Sequence, residues 1–324
     1  MNATSDTKVA TDDRKGSTDD RQVRDAPAPF DNPKADVILR SSDNVDFRAF
    51  KIMLSVTSSV FEGMFALPTP PQGSTGDTLK DGLPVIPLSE DSELVKKLLL
   101  YSLPSAIVER PPLETLRDVL AVLDAATKYD MQDVHRHART ALVSTRLLSS
   151  DTPLRIFVTA MRYKFEDEAR AAAKYNLAVP VSDWPYIDEL DDISTRQYHR
   201  LQDYHRRCGE VASTACPTLI TKWRSDFEWE KCSPPLIWSS YGSVAMWLWE
   251  AIGEAAAALK AKPRGATVAE ILTSERFVAL ASKCTHCGDK AQSKTKRFAA
   301  LCANAIEEAI STVEVDLVDL RTRQ

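Results

Sequence analysis

Residues 35–67 constrain the fold more than any other part of this chain, because the hydrophobic period changes inside them. Val37-Ile38-Leu39-Arg40 is a short β-rich run. Ser41-Ser42-Asp43-Asn44 is a turn cluster. Val45, Phe47 and Ala49 then alternate with Asp46, Arg48 and Phe50. Period-two runs on both sides of a turn predict a hairpin. From Lys51 the repeat becomes helical: Leu54, Ser58, Phe61 and Phe65 share a face suited to a core, and Ile52, Ser55, Ser59 and Glu62 share another. Pro68 and Pro70-Pro71 stop the helix, because proline removes a backbone donor and clashes with the preceding turn.

The same residues resemble the opening of a BTB/POZ domain. That family places an acidic residue in its first strand, then Phe-x-x-His-Lys-x-x-Leu, then Ser-x-x-Phe. Asp36, Phe47, Lys51, Leu54, Ser58 and Phe61 match in that order, while Phe50 stands where the family has histidine. Leu83–Asp91 is similar to the family's third strand, Leu94–Leu103 to the helix after it, and Leu116–Tyr129 with Val134–Leu142 to the closing helical pair. The resemblance implies an α+β fold, a short mixed sheet with helices, followed here by an all-α domain. It also implies a partner-binding platform that forms a homodimer through its first strand and first helix, with Val37, Leu39 and Phe47 as candidate seam residues. Asp36 and Lys51 would contribute to a charged groove. Family members that recruit cullin-3 carry an apolar-x-Glu element after this helix; Gly63–Thr69 has no glutamate at that place, but Phe61, Met64, Phe65 and Leu67 remain an apolar set that would suit an interface.

Two domains suit a chain of 324 residues. Residues 1–32 are polar, of mixed charge and almost without large apolar side chains, so they are expected to be a disordered tail. Residues 33–146 form the BTB-like domain, with an exposed loop at Pro68–Gly82, and residues 147–324 form the helical domain. There, helices are expected at Leu154–Met161, Glu166–Tyr175, Ser194–Ala215, Thr218–Phe227, Gly242–Lys260, Val268–Lys283 and Ser293–Val313. The words Tyr198-His199-Arg200-Leu201, Tyr204-His205, Cys208-Gly209 and Lys283-Cys284-x-x-Cys287 resemble those of basidiomycete BTB proteins with helical C-terminal halves.

A net charge of −5 argues against a nucleic-acid binder, and no uncharged apolar run is long enough to span a membrane. The N-terminus lacks the apolar core of a signal peptide. Six cysteines without a secretory signal point to a reducing intracellular compartment, cytoplasm or nucleus. Cys284-Thr285-His286-Cys287-Gly288 has the C-x-x-C-Gly spacing of a zinc knuckle, for which Cys232 and one of His205, Cys208 or Cys216 are candidate completing ligands; Cys208 is favoured. The bland alternative is buried thiols acting as small hydrophobes. Trp223, Trp229, Trp238, Trp247 and Trp249 read as core rather than as a stacking pocket. No catalytic motif is present, so the expected function is a protein-interaction adaptor rather than an enzyme. Cullin-3 adaptation, and an enzyme activity of the C-terminal half using Cys284 and Cys287, are the rival readings.

Overall fold

The computed structural model describes residues 22–67, 79–104, 108–144, 147, 153–223, 225–228, 231–232, 236–239 and 242–317. The chain divides into two compact units, Met1–Pro112 with Leu120–His137, and Leu113–Val119 with Ala138–Gln324.

The first unit is built on five strands: β1 (Arg24–Asp25), β2 (Val37–Arg40), β3 (Val45–Ala49), β4 (Leu79–Lys80) and β5 (Leu83–Pro87). Their order is β1-β3-β2-β5-β4. The central β2 runs antiparallel to β3, with Leu39 opposite Phe47, and parallel to β5, with Leu39 opposite Ile86. A central strand is covered on both faces, so Val37, Ile38 and Leu39 are all buried and the strand does not alternate.

The expected tail ends earlier than residue 32. Arg24–Asp25 pairs in parallel with Val45–Asp46, Ala26 is buried, and Phe30 packs edge-on against Phe47 with centroids 5.4 Å apart. Two apolar side chains suffice to anchor this short segment, too few to register as a hydrophobic pattern. Residues 1–21 of the expected tail lie outside the described residues. So does most of the expected loop at Pro68–Gly82, but its end is a strand. Leu79 and Lys80 pair with Pro84 and Leu83 across a two-residue turn, with Asp81 at φ 55° and Gly82 at φ 77°. Asp-Gly accepts two positive φ angles in succession, which matches the twist of a tight hairpin.

Charge is placed with care in this sheet. Asp46 is fully buried, and Arg40 Nε and Nη2 donate to it at 2.6 and 2.9 Å while Lys80 Nζ donates at 2.8 Å. Burial alone would raise the carboxyl pKa; the bonds from Arg40 and Lys80 outweigh it and hold Asp46 below the ordinary carboxylate range. Lys80 also meets Asp25 at 2.6 Å, so alternating charges stitch together β1, β2, β3 and β4.

Helices α1 (Lys51–Thr57), α2 (Ser59–Ala66), α3 (Ser92–Ser102), α4 (Leu116–Lys128) and α5 (Gln132–Leu142) follow the order read from sequence. Asp91 caps α3 by accepting the Leu94 N–H at 2.9 Å.

The second unit is mainly helical: α6 (Pro153–Arg162), α7 (Glu166–Asn176), α8 (Thr195–Trp223), α9 (Met246–Leu259), α10 (Gly265–Leu272), α11 (Glu275–Ser282) and α12 (Ala291–Ser311). Three expectations are corrected. The two helices expected at Ser194–Ala215 and Thr218–Phe227 are one helix containing Pro217. Burial of Cys216, Leu219 and Ile220 holds the last turns in place despite the missing donor. The expected helix at Gly242–Lys260 begins as a strand, because β6 (Leu236–Ser239) and β7 (Gly242–Ala245) form an antiparallel hairpin. The expected helix at Val268–Lys283 breaks at Thr273-Ser274 into α10 and α11.

Two glycines permit close approaches in the helical unit. A Cβ on Gly209 of α8 would stand 2.7 Å from the Lys260 carbonyl oxygen, and one on Gly265 of α10 would stand 2.3 Å from that of Ala303 in α12. Glu307 of α12 reinforces the second crossing by accepting from the Gly265 N–H at 2.8 Å and from Arg264 Nε at 3.0 Å, which caps α10 with a negative charge.

Candidate functional site

The surface built by α1 and α2 is fixed by polar contacts at both ends. The Asp36 carboxylate accepts the Lys51 N–H at 2.7 Å, tying the start of α1 to the start of β2. Between the helices Ser58 is extended; its Oγ accepts the Phe61 N–H at 3.1 Å and donates to the Tyr129 carbonyl. Ser59 Oγ donates to Asp130. Leu54 and Phe61 then point inward, and the Phe61 ring stacks on Tyr129 and Phe65 at 5.1 and 5.9 Å. Tyr129 is held in turn by donating its phenol to Glu90 at 2.6 Å; burial and that bond push its pKa up to about 12.

The outward faces carry Ile52, Val56, Val60 and Met64, spaced by four, with Leu67 beyond them. Their exposures are 67%, 78%, 39%, 37% and 69%, which makes this an aliphatic row facing solvent.

Residues 30–146 match the family model of the BTB/POZ domain. The chain carries a BTB domain. That domain is a protein–protein interaction module, so this part of the chain is a binding platform rather than a catalyst. Among curated proteins none matches the chain, and these comparisons give no support to the resemblance of the helical half to the basidiomycete group.

Within the BTB domain the expected seam residues belong to the core of the single chain: Val37, Leu39 and Phe47 are 0%, 1% and 2% exposed. Hydrophobic patterning reports burial, and the central position of β2 spends that burial inside the domain. The aliphatic row escaped the sequence reading, although Ile52 and Val56, and then Val60 and Met64, each stand four apart and offset from the Leu54–Phe61 stripe. Asp36 and Lys51 are neighbours, but through the backbone bond described above; the Lys51 ammonium lies 5.7 Å from the centre of the Phe65 ring. Met64 is exposed and Phe65 half-buried.

In the helical unit the six cysteines are buried thiols. Three of them converge: the Sγ atoms of Cys232, Cys284 and Cys287 lie within 4.8 Å of one another, and Cys232 and Cys287 are 3.6 Å apart. The Gly288 N–H donates to the Cys284 carbonyl at 2.8 Å, and Gly288 takes φ 42°, a turn that puts both knuckle thiols on one side. The contact with Cys232 holds the Cys287 thiol towards the thiolate, with Lys294 acting in the same direction.

Cys208 is not in this cluster. It sits fully buried on α8 beside Tyr204, its pKa pushed up to about 11 by burial. Cys216 is likewise pushed up to about 12. His205 points its Nε2 at the Val179 carbonyl, 3.1 Å away, and packs edge-on against Trp184. Shared helical spacing put His205 and Cys208 on one face of α8, but that face packs elsewhere. Of the tryptophans, Trp247 is buried and Trp223 and Trp249 are half-buried, while Trp229 and the Trp238 side chain lie outside the described residues.

Proposed function

We propose that the chain is an interaction adaptor that self-associates through the aliphatic row of α1 and α2 and holds a partner with its helical unit. The exposure of Ile52, Val56, Val60, Met64 and Leu67 carries this reading. A second copy is the occupant that suits the row. Between Lys51 and Leu67 the only charged residues are Lys51 and Glu62, so the face has no net charge to be complemented by an oppositely charged partner. A two-fold interface asks only that a patch complement itself. A stable dimer covers about 800 Å² on each partner, so the row serves as its apolar centre, with the surrounding polar residues as rim.

The test is the solution mass of the full chain by sedimentation, for the wild type and an Ile52→Asp, Val56→Asp variant. Both residues are exposed, so the monomer fold is kept. The expected outcome is a dimer that becomes a monomer in the variant. A monomeric wild type, or a variant that remains dimeric, overturns the reading.

Exposure of Met64 favours a second reading, a cullin-3 adaptor in ubiquitin transfer, in which the helical unit selects the substrate. Capture of cullin-3 from the same organism by the wild type, lost in Met64→Asp, supports it.

A further inference from the structure

We infer that Cys232, Cys284 and Cys287 form a metal site that binds one zinc ion through three thiolates and ties the segment after α8 to the turn between α11 and α12. Geometry comes first. Zinc–thiolate bonds of about 2.3 Å in a tetrahedron set the sulfurs roughly 3.8 Å apart. The three Sγ atoms here lie within 4.8 Å of one another, one pair at 3.6 Å. That is one face of a tetrahedron, reached with only small side-chain adjustment.

The other cysteines supply the contrast. Cys208, Cys216 and Cys302 are also buried, yet each is set into a helix, and none of them joins a cluster of three ligands among the described residues. Cysteines used as small hydrophobes need not meet. Cys232 meets Cys287 from 55 residues away in sequence, and a tight glycine turn delivers Cys284 to the same point. A disulfide would employ two sulfurs at about 2.05 Å and leave the third without a purpose. Three converging thiols instead match the donor set of a soft, tetrahedral, non-redox cation. His286 lies between the two knuckle cysteines, but its Nε2 is 3.5 Å from Glu228. Among the described residues no fourth protein ligand joins the three, and a small ligand such as water completes the tetrahedron.

The experiment uses the full chain, purified without chelators and analysed for metal by mass spectrometry. One equivalent of zinc is expected, falling to background in a Cys284→Ser, Cys287→Ser variant and unchanged in Cys208→Ser. Because the double variant could fail to fold, a second measurement uses the wild type alone. Stripped of metal under reducing conditions and titrated with cobalt(II), it should develop the thiolate-to-cobalt charge-transfer band and tetrahedral visible bands, saturating at one equivalent and bleached by zinc. Absence of both zinc and the cobalt bands overturns the proposal. So does an intact mass two hydrogens lower that reverts on reduction, which would show a disulfide in place of the metal.

Discussion

Gly265→Ala is expected to destabilise the helical unit, whereas Gly253→Ala, the same substitution one helix earlier, is expected to stabilise it. On α9, a Cβ at Gly253 meets nothing within 4 Å and the residue is exposed. The gain is the helix-propensity difference, about 0.8–1 kcal/mol. At Gly265 a Cβ would lie 2.3 Å from the Ala303 carbonyl oxygen, 2.8 Å from its carbon and 3.0 Å from its Cα, all backbone atoms that cannot swing aside. The helices α10 and α12 must separate by several tenths of an ångström, and overpacking of this kind costs about 1–3 kcal/mol. Separation also stretches the 2.8 Å bond from the Gly265 N–H to Glu307, and hydrogen bonds to charged groups contribute about 1.5–3 kcal/mol. Gly265 opens its helix, so little propensity is recovered there. The net loss should be about 2–4 kcal/mol. All six tryptophans fall between Trp184 and Trp249, within the second unit, so their fluorescence during urea unfolding reports that unit alone. A midpoint for Gly265→Ala equal to or above the wild type would refute the close approach of α10 and α12.

Asp46→Asn keeps the volume but leaves Arg40 and Lys80 facing a neutral amide, and should cost the first unit about 2–4 kcal/mol, measured by circular dichroism; a change under about 0.5 kcal/mol, as for ordinary surface sites, would contradict the buried network. The two units should also differ in pH response. Asp46 and Glu90 are held below their ordinary values by cationic and hydrogen-bonding partners that outweigh burial, so their stabilisation is complete above unfolded carboxylate values of about 4 and is lost as pH falls through the lower folded values. Burial depresses His205, so its contribution is complete above about pH 6.5 and declines as pH falls below that. Tryptophan-detected stability should therefore soften first, below about pH 6.5, with a His205→Gln variant lacking that limb; identical profiles for the two proteins would count against the buried neutral imidazole.

The order of elements in the first unit was legible because each boundary is chemical. The period changes at Lys51, Asp91 caps α3, and prolines follow α2. What patterning does not carry is direction. It marked Val37, Leu39 and Phe47 as apolar and left open whether core or partner would take them. Asp81-Gly82 is a local hairpin signal at the end of a segment whose composition otherwise reads as loop. Pro217 misled in the opposite sense, since a local breaker was overridden by burial around it. The thiol cluster divides neatly: Cys284 and Cys287 are joined by a short turn and were readable, Cys232 arrives by tertiary packing, and Cys208 was chosen on a helical face whose neighbours sequence does not name.

The Ser58 corner has a kinetic consequence. It joins α1 to α2 with one hydroxyl bonded both ways, to the Phe61 N–H and the Tyr129 carbonyl, and Asp36 pins the other end of α1. The aliphatic row is therefore presented ready-shaped, with little chain entropy left to lose when a partner arrives. A docking face of that kind should associate at nearly the same speed whichever of its side chains is trimmed, and register each trimming as a shorter residence time.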